Sequence, residues 1–66
     1  MIVSASELLI GRSYTFSQLE PVVRVTTGTV TGEVKNKRFV RIQCEESGGG
    51  KIIDLSVISR IERVDF

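Results

Sequence analysis

The sequence predicts a small antiparallel β-barrel of five to six strands with a short N-terminal helix. Three observations carry that prediction. Between Pro21 and Glu46 the residues Val22, Val23, Val25, Val30, Val34, Val40 and Ile42 are β-branched, which suits a pleated, half-buried surface. Two places in the same stretch, Thr27-Gly28 and Asn36-Lys37-Arg38, offer residues that accept the positive φ of tight hairpin turns. Gly32 stands mid-strand between them, where a glycine marks a bend or a close backbone approach, as in a sheet coiling into a barrel.

Register follows from those turns. With Thr27-Gly28 as a two-residue turn, Val25 faces Val30 and Val23 faces Gly32. With a three-residue turn at 36–38, Lys35 faces Phe39, Val34 faces Val40, Glu33 faces Arg41, Gly32 faces Ile42 and Val30 faces Cys44. One face then holds Val23, Val25, Val30, Val34, Val40, Ile42 and Cys44. The other holds Arg24, Thr26, Thr31, Glu33, Arg41 and Gln43, with Glu33 and Arg41 as an opposite-charge cross-strand pair. A slip of one residue sends the valines to solvent, which disfavours it.

The remaining elements read in chain order. Met1 to Val3 is apolar and suited to a sheet edge. Ser4-Ala5-Ser6-Glu7 has the spacing of a capping box before Leu8-Leu9-Ile10, so a short helix is expected over 4–10, stopped by Gly11. A helix so short must pack on something. Ser13-Tyr14-Thr15-Phe16-Ser17 alternates polar and aromatic residues, a strand with Tyr14 and Phe16 on one face. Leu19-Glu20-Pro21 breaks it. After the two hairpins, Ser47-Gly48-Gly49-Gly50 is a flexible connection. Lys51 to Val57 reads as a strand with Ile53, Leu55 and Val57 inward. Ile58, Ile61 and Val64 recur every three residues, the mark of a tight 3₁₀ turn before a last strand, Arg60 to Asp65. Short sequential strands of this kind make an SH3-like or OB-like barrel. Phe39 and Ile52 fall on the non-core face, to be covered either by the N-terminal helix or by a neighbouring subunit.

Composition narrows the function classes. The chain has 66 residues, is 41% hydrophobic and carries a formal net charge of +1. A single domain of this size buries only about 60% of its unfolded surface, which makes a homo-oligomer attractive. No apolar run approaches a membrane span, and the N-terminus lacks the pattern of a secretory signal. The single cysteine, Cys44, falls on the predicted core face, so a reduced thiol and a cytoplasmic setting are expected. Histidine is absent, removing the commonest general base and metal ligand. Gly48-Gly49-Gly50-Lys51 lacks the leading glycine and the following Ser or Thr of a phosphate loop. Glu45 and Glu46 alternate across a strand and do not converge on one substrate. No catalytic residue, metal or cofactor is therefore expected, and the chain is read as no enzyme.

The stretch VRVTTGTVTGEV, the strand RFVRIQCEE and the ending KIIDLSVISRIERVD, preceded by a capped N-terminal helix, resemble the Sm-like superfamily of Sm proteins, archaeal Sm-like proteins and bacterial Hfq. The resemblance covers Val22 to Phe66, about two thirds of the chain. Such proteins carry one glycine in the first hairpin and another in the bent second strand, the places of Gly28 and Gly32 here. They end in a strand, a 3₁₀ turn and a short edge strand. The chain differs in the spacing of its glycines, in a 35–39 loop that lacks the base-gripping Asp, and in a last loop, Leu55 to Ser59, without the basic-Gly or Tyr-Lys-His signature. The Rof family, Sm-like in fold and acting by binding the termination factor Rho, is similar at the same level. The first resemblance implies RNA binding and a ring; the second implies a protein partner.

One constellation points to chemistry. Lys35, Asn36, Lys37, Arg38, Phe39 and Arg41 put four cations and an aromatic on one hairpin. Cations hold phosphates and an aromatic stacks a base. Binding of RNA or another single-stranded nucleic acid through this hairpin is the leading expectation. A protein-interaction module that inhibits or adapts a larger partner is the alternative, in which the lysines merely keep the turn soluble and Phe39 covers the sheet.

Overall fold

The computed structural model describes residues 2–64. It is mostly β: β1 (Ser13–Gln18), β2 (Arg24–Val30), β3 (Phe39–Cys44), β4 (Gly50–Asp54) and β5 (Arg60–Arg63) form one antiparallel sheet in the order β4-β3-β2-β1-β5. A 3₁₀ turn, Ala5–Glu7, precedes β1, and a second, Leu55–Val57, joins β4 to β5.

Alternation decides which side of each strand is inside. Tyr14 and Phe16 of β1, Val30 of β2, Val40 and Ile42 of β3, Ile53 of β4 and Ile61 of β5 meet in one cluster with Leu55. Among the described residues no helix or second sheet covers that inner face. A single sheet brings its two edge strands into one core only by curling around it. The curl stops short of closure, since β4 and β5 do not pair and the Leu55–Val57 turn bridges the gap. The structure is thus a five-stranded curled open sheet, not a closed barrel. Each fully buried aliphatic or aromatic side chain in the cluster contributes roughly 1.5–3 kcal/mol.

The expected N-terminal helix shrinks to one 3₁₀ turn. Its box is partly built: Glu7 Oε1 accepts from the Ser4 amide at 3.3 Å and from the Ser4 hydroxyl at 2.7 Å. Leu8 then turns extended. One turn cannot offset the cost of helix nucleation. The apolar residues after it are recruited by the sheet instead. Val3, Ala5 and Leu8 pack on the core, and the Leu9 amide donates to the Tyr14 hydroxyl at 3.0 Å. Gly11, at φ +88°, turns the chain into β1. Ahead of it, Ile2 bridges Glu62 and the Val3 amide bonds the Ile61 carbonyl. The N-terminal segment thus caps the outer edge of β5, as its apolar character suggested.

The Thr27-Gly28 turn does not exist. Arg24–Val30 runs as one strand, and the β1–β2 reversal lies at 19–23, where the Glu20–Pro21 bond is cis. Gly28 serves another need. A Cβ there would lie 2.7 Å from the Gln43 carbonyl oxygen and 2.8 Å from Ile42 Cδ1, so this glycine lets β3 cross close to β2. Gly32, read from sequence as a bend or a close approach, is a bend, with only Arg41 Cβ near, at 3.5 Å. Without the turn, Val25 and Val30 lie an odd number apart on one strand and face opposite ways. Val23 and Val25 are accordingly 68% and 63% exposed, whereas Val30 is buried. Threonines take the outer face beside Val25, with hydroxyl pairs Ser13–Thr29 at 2.9 Å and Thr15–Thr27 at 3.0 Å.

The second turn is where the sequence puts it. Lys35 bridges Phe39 around 36–38, with Asn36 and Lys37 at φ 54° and 55°. Farther down, however, Val30 pairs with Ile42 and Gly28 with Cys44, two residues off the expected register. A bulge absorbs the difference. The Thr31 amide bonds the Arg41 carbonyl, so Gly32, Glu33 and Val34 oppose Val40 alone before the Lys35–Phe39 bridge. Glu33 therefore does not pair with Arg41. A shift of two keeps every side chain on its face, which is why Val40 and Ile42 remain inside. Cys44 ends half-buried. Beyond Asp54 the chain leaves the sheet, so Ile53 and Leu55 point in but Val57 is exposed. Asp65, the end of the expected last strand, lies outside the described residues, as does Phe66. Among the described residues no helix is long and apolar enough to cross a membrane.

Candidate nucleic-acid interface

The turn at 36–38 and the alternation of β3 place the candidate residues. β3 sends Val40 and Ile42 inward and Phe39, Arg41 and Gln43 outward. Phe39 is 36% exposed, and Ile52, the cross-strand partner of Arg41 on β4, is 60% exposed. Both apolar side chains thus lie on the outer face, as the sequence predicted. The N-terminal segment does not cover them: it packs on the far side of the 32–34 bulge.

The six candidate residues divide into three groups. Lys35, Phe39 and Arg41 line one cleft of about 220 Å³, together with Thr31, Glu33 and Ile52. Asn36 and Lys37 form the turn itself, and Lys37 borders a different groove, on the N-terminal side. Arg38 is committed elsewhere. Its Nε and one terminal nitrogen donate to the two carboxylate oxygens of Asp54, each at 2.9 Å. The guanidinium carbon also lies 5.1 Å from the centroid of the Phe39 ring, within cation–π range.

Asp54 is the hub of that contact. It caps the Leu55–Val57 turn, accepting from the Ser56 amide at 3.0 Å and the Ser56 hydroxyl at 2.7 Å. The paired donors of Arg38, and then the Ser56 hydroxyl, hold its carboxyl far below the usual carboxylate range. The Leu55 amide adds a bond to the Arg38 carbonyl. The hairpin tip is thereby fastened to the start of the second 3₁₀ turn, and one side of Phe39 is packed by an arginine that is itself fixed. Arg38 packs on the aromatic; among the described residues the side chains of Lys35, Lys37 and Arg41 make no ion pair, and of these Lys35 and Arg41 line the cleft.

Glu33 and Thr31 are additions that the sequence pattern did not offer as site residues. Glu33 sat on the polar face by alternation, but as a partner of Arg41. The bulge separates the two, and Glu33 borders both this cleft and the groove on the N-terminal side. Gly32 beside it was the sequence signal for such an irregularity.

The second depression is larger and more apolar. Ala5, Leu8, Leu9 and Ile10 on one bank and Gly32, Glu33, Val34 and Lys37 on the other bound a groove of about 670 Å³, which shares Gly32 and Glu33 with the Phe39 cleft. Leu9 and Ile10 are exposed beside it. Among the described residues no three His, Cys, Asp or Glu side chains converge to hold a metal ion.

Compared with protein families, with curated proteins and with solved structures, the chain shows no match.

Proposed function

We propose that the chain is a non-enzymatic binding module for RNA or another single-stranded nucleic acid, a small SH3-like domain of the Sm-like type acting in the cytoplasm. The observation that carries this is the cleft that brings Phe39 together with Lys35 and Arg41. A half-exposed aromatic between two unpaired cations has the two parts that single-strand binding needs. The ring stacks a base whatever its identity, and the cations follow the backbone. The fold supports the Sm-like comparison through its ending: a strand, a 3₁₀ turn and a short edge strand. The lone thiol of Cys44 fits a reducing compartment.

Titration of labelled single-stranded RNA over a salt series tests the proposal. Affinity is expected to fall steeply with salt, as counterion release requires. Phe39→Ala is expected to cost ~1–3 kcal/mol of binding. No binding at tens of micromolar in low salt contradicts it.

The apolar groove favours a second function, a protein-interaction module that inhibits or adapts a larger partner. Exposed Leu9 and Ile10 beside a depression of that size suit an apolar side chain of another protein. Such binding is insensitive to salt. Self-association is a version of the same idea. The outer edge of β4 carries exposed Ile52 and, among the described residues, no neighbouring strand, whereas the β5 edge is blocked by Ile2 and Val3.

A further inference from the structure

The bulge at 32–34 exists in the middle of a hairpin whose turn and lower register are both regular. Its effect is to divide neighbours. Val34 packs against the core, and the exposed Glu33 lines both the cleft that holds Phe39 and the groove beside the N-terminal segment. Bulges re-aim side chains in this way next to functional sites. Glu33 makes no ion pair with Lys35 or Arg41, although all three line the same small space. A cleft of about 220 Å³ is below the ~300–1,000 Å³ of drug-sized pockets, so it suits one flat ring system.

We infer that this cleft selects guanine within a single strand, with Glu33 reading the base stacked on Phe39. The inference rests on the nucleic-acid function proposed above. An ionised carboxylate only accepts hydrogen bonds, and its two oxygens match two adjacent donors. In a single strand the Watson–Crick edges are free to be read. Guanine presents N1–H and the N2 amino group side by side on that edge. Adenine and cytosine each set one amino group beside a ring-nitrogen acceptor, and uracil sets N3–H between two carbonyl oxygens. Those three turn a lone pair toward Glu33. Lys35 and Arg41 line the same cleft as Glu33 and supply the cations for the phosphates on either side of the base.

Heptamers with a fixed uridine background test this. The set is heptauridine and its variants with G, A, C or inosine at the centre, each titrated against the intact chain, with GMP alone as a further arm. The guanine heptamer is expected to bind about tenfold or more tighter than the others, the discrimination that a bidentate base contact supplies. Inosine keeps N1–H and lacks the amino group, so it falls between. Glu33→Gln is expected to reduce the guanine preference, read as the ratio of guanine-heptamer to heptauridine affinity, to less than about threefold. Equal binding of all heptamers, or a preference for another base, overturns the inference and leaves the general nucleic-acid function standing. GMP binding as tightly as the guanine heptamer overturns it in favour of a free-nucleotide site. Failure of every heptamer to bind overturns both.

Discussion

A methyl group at position 28 has nowhere to go. It would meet backbone oxygen at 2.7 Å and a buried isoleucine methyl at 2.8 Å, and backbone does not move aside cheaply. Gly28→Ala is expected to destabilise the fold by ~1–3 kcal/mol, the usual cost of overpacking. Gly50→Ala, where nothing lies within 4 Å, is expected to stay within about 0.5 kcal/mol. Urea unfolding of the two variants side by side measures the difference. Asp54 is the other residue on which much rests. Its folded-state pKa is depressed by Arg38 and Ser56 below the ordinary value of 3.8, so the unfolded chain binds the proton more readily. The stabilisation is fully present above that value and is lost as pH falls below it toward the folded-state value. Glu7, lowered by its bonds from Ser4, acts in the same direction. Thermal melts from pH 7 down to pH 2 are expected to show an acid limb that flattens in Asp54→Asn. An unchanged limb contradicts the assigned contact.

At the scale of the element, β2 and its hairpin are the informative piece. A continuous strand puts Val25 outside and Ile42 of β3 inside. Ile42→Ala is therefore expected to cost ~2–5 kcal/mol, and Val25→Thr about 0.5 kcal/mol or less. If a turn stood at Thr27-Gly28, both would be costly. The two turns show what a sequence makes legible. Asn36-Lys37-Arg38 is a local device, and local chemistry suffices to find it. Gly28 carries the same letter as a turn glycine, but its reason lies fifteen residues away at Gln43, which no pattern within β2 reveals. The juxtaposition of Phe39, Lys35 and Arg41 was legible because a tight turn and strict alternation bring them to one cleft. Glu33 was not, since a two-residue bulge changes partners while preserving faces. Arg38 belonged to the cluster by charge and leaves it by geometry. For nucleic-acid binding, Lys35→Ala and Arg41→Ala are each expected to lower the salt slope by about one unit. Arg38→Ala, already paired with Asp54, is expected to leave the slope nearly unchanged, as read from the same titrations.

At the scale of the molecule, every strand sends a side chain into one core, and the chain ends of the sheet are joined through that core and not through hydrogen bonds. Such a structure has no part that can remain folded alone. Unfolding is expected to be a single transition, with the signal of the buried Tyr14 ring and the far-ultraviolet dichroism of the sheet coinciding. The two functions proposed for the chain use adjoining depressions that share Gly32 and Glu33, the Phe39 cleft on the outer face and the apolar groove beside the N-terminal segment. The most direct measurement of which side binds is amide chemical-shift mapping by NMR during titration with the guanine-centred heptamer. The account predicts shifts concentrated at Thr31 to Glu33, Lys35, Phe39 to Arg41 and Ile52, with Leu8 to Ile10 unmoved. Shifts centred on Leu8 to Ile10, or none at saturating heptamer, would contradict it.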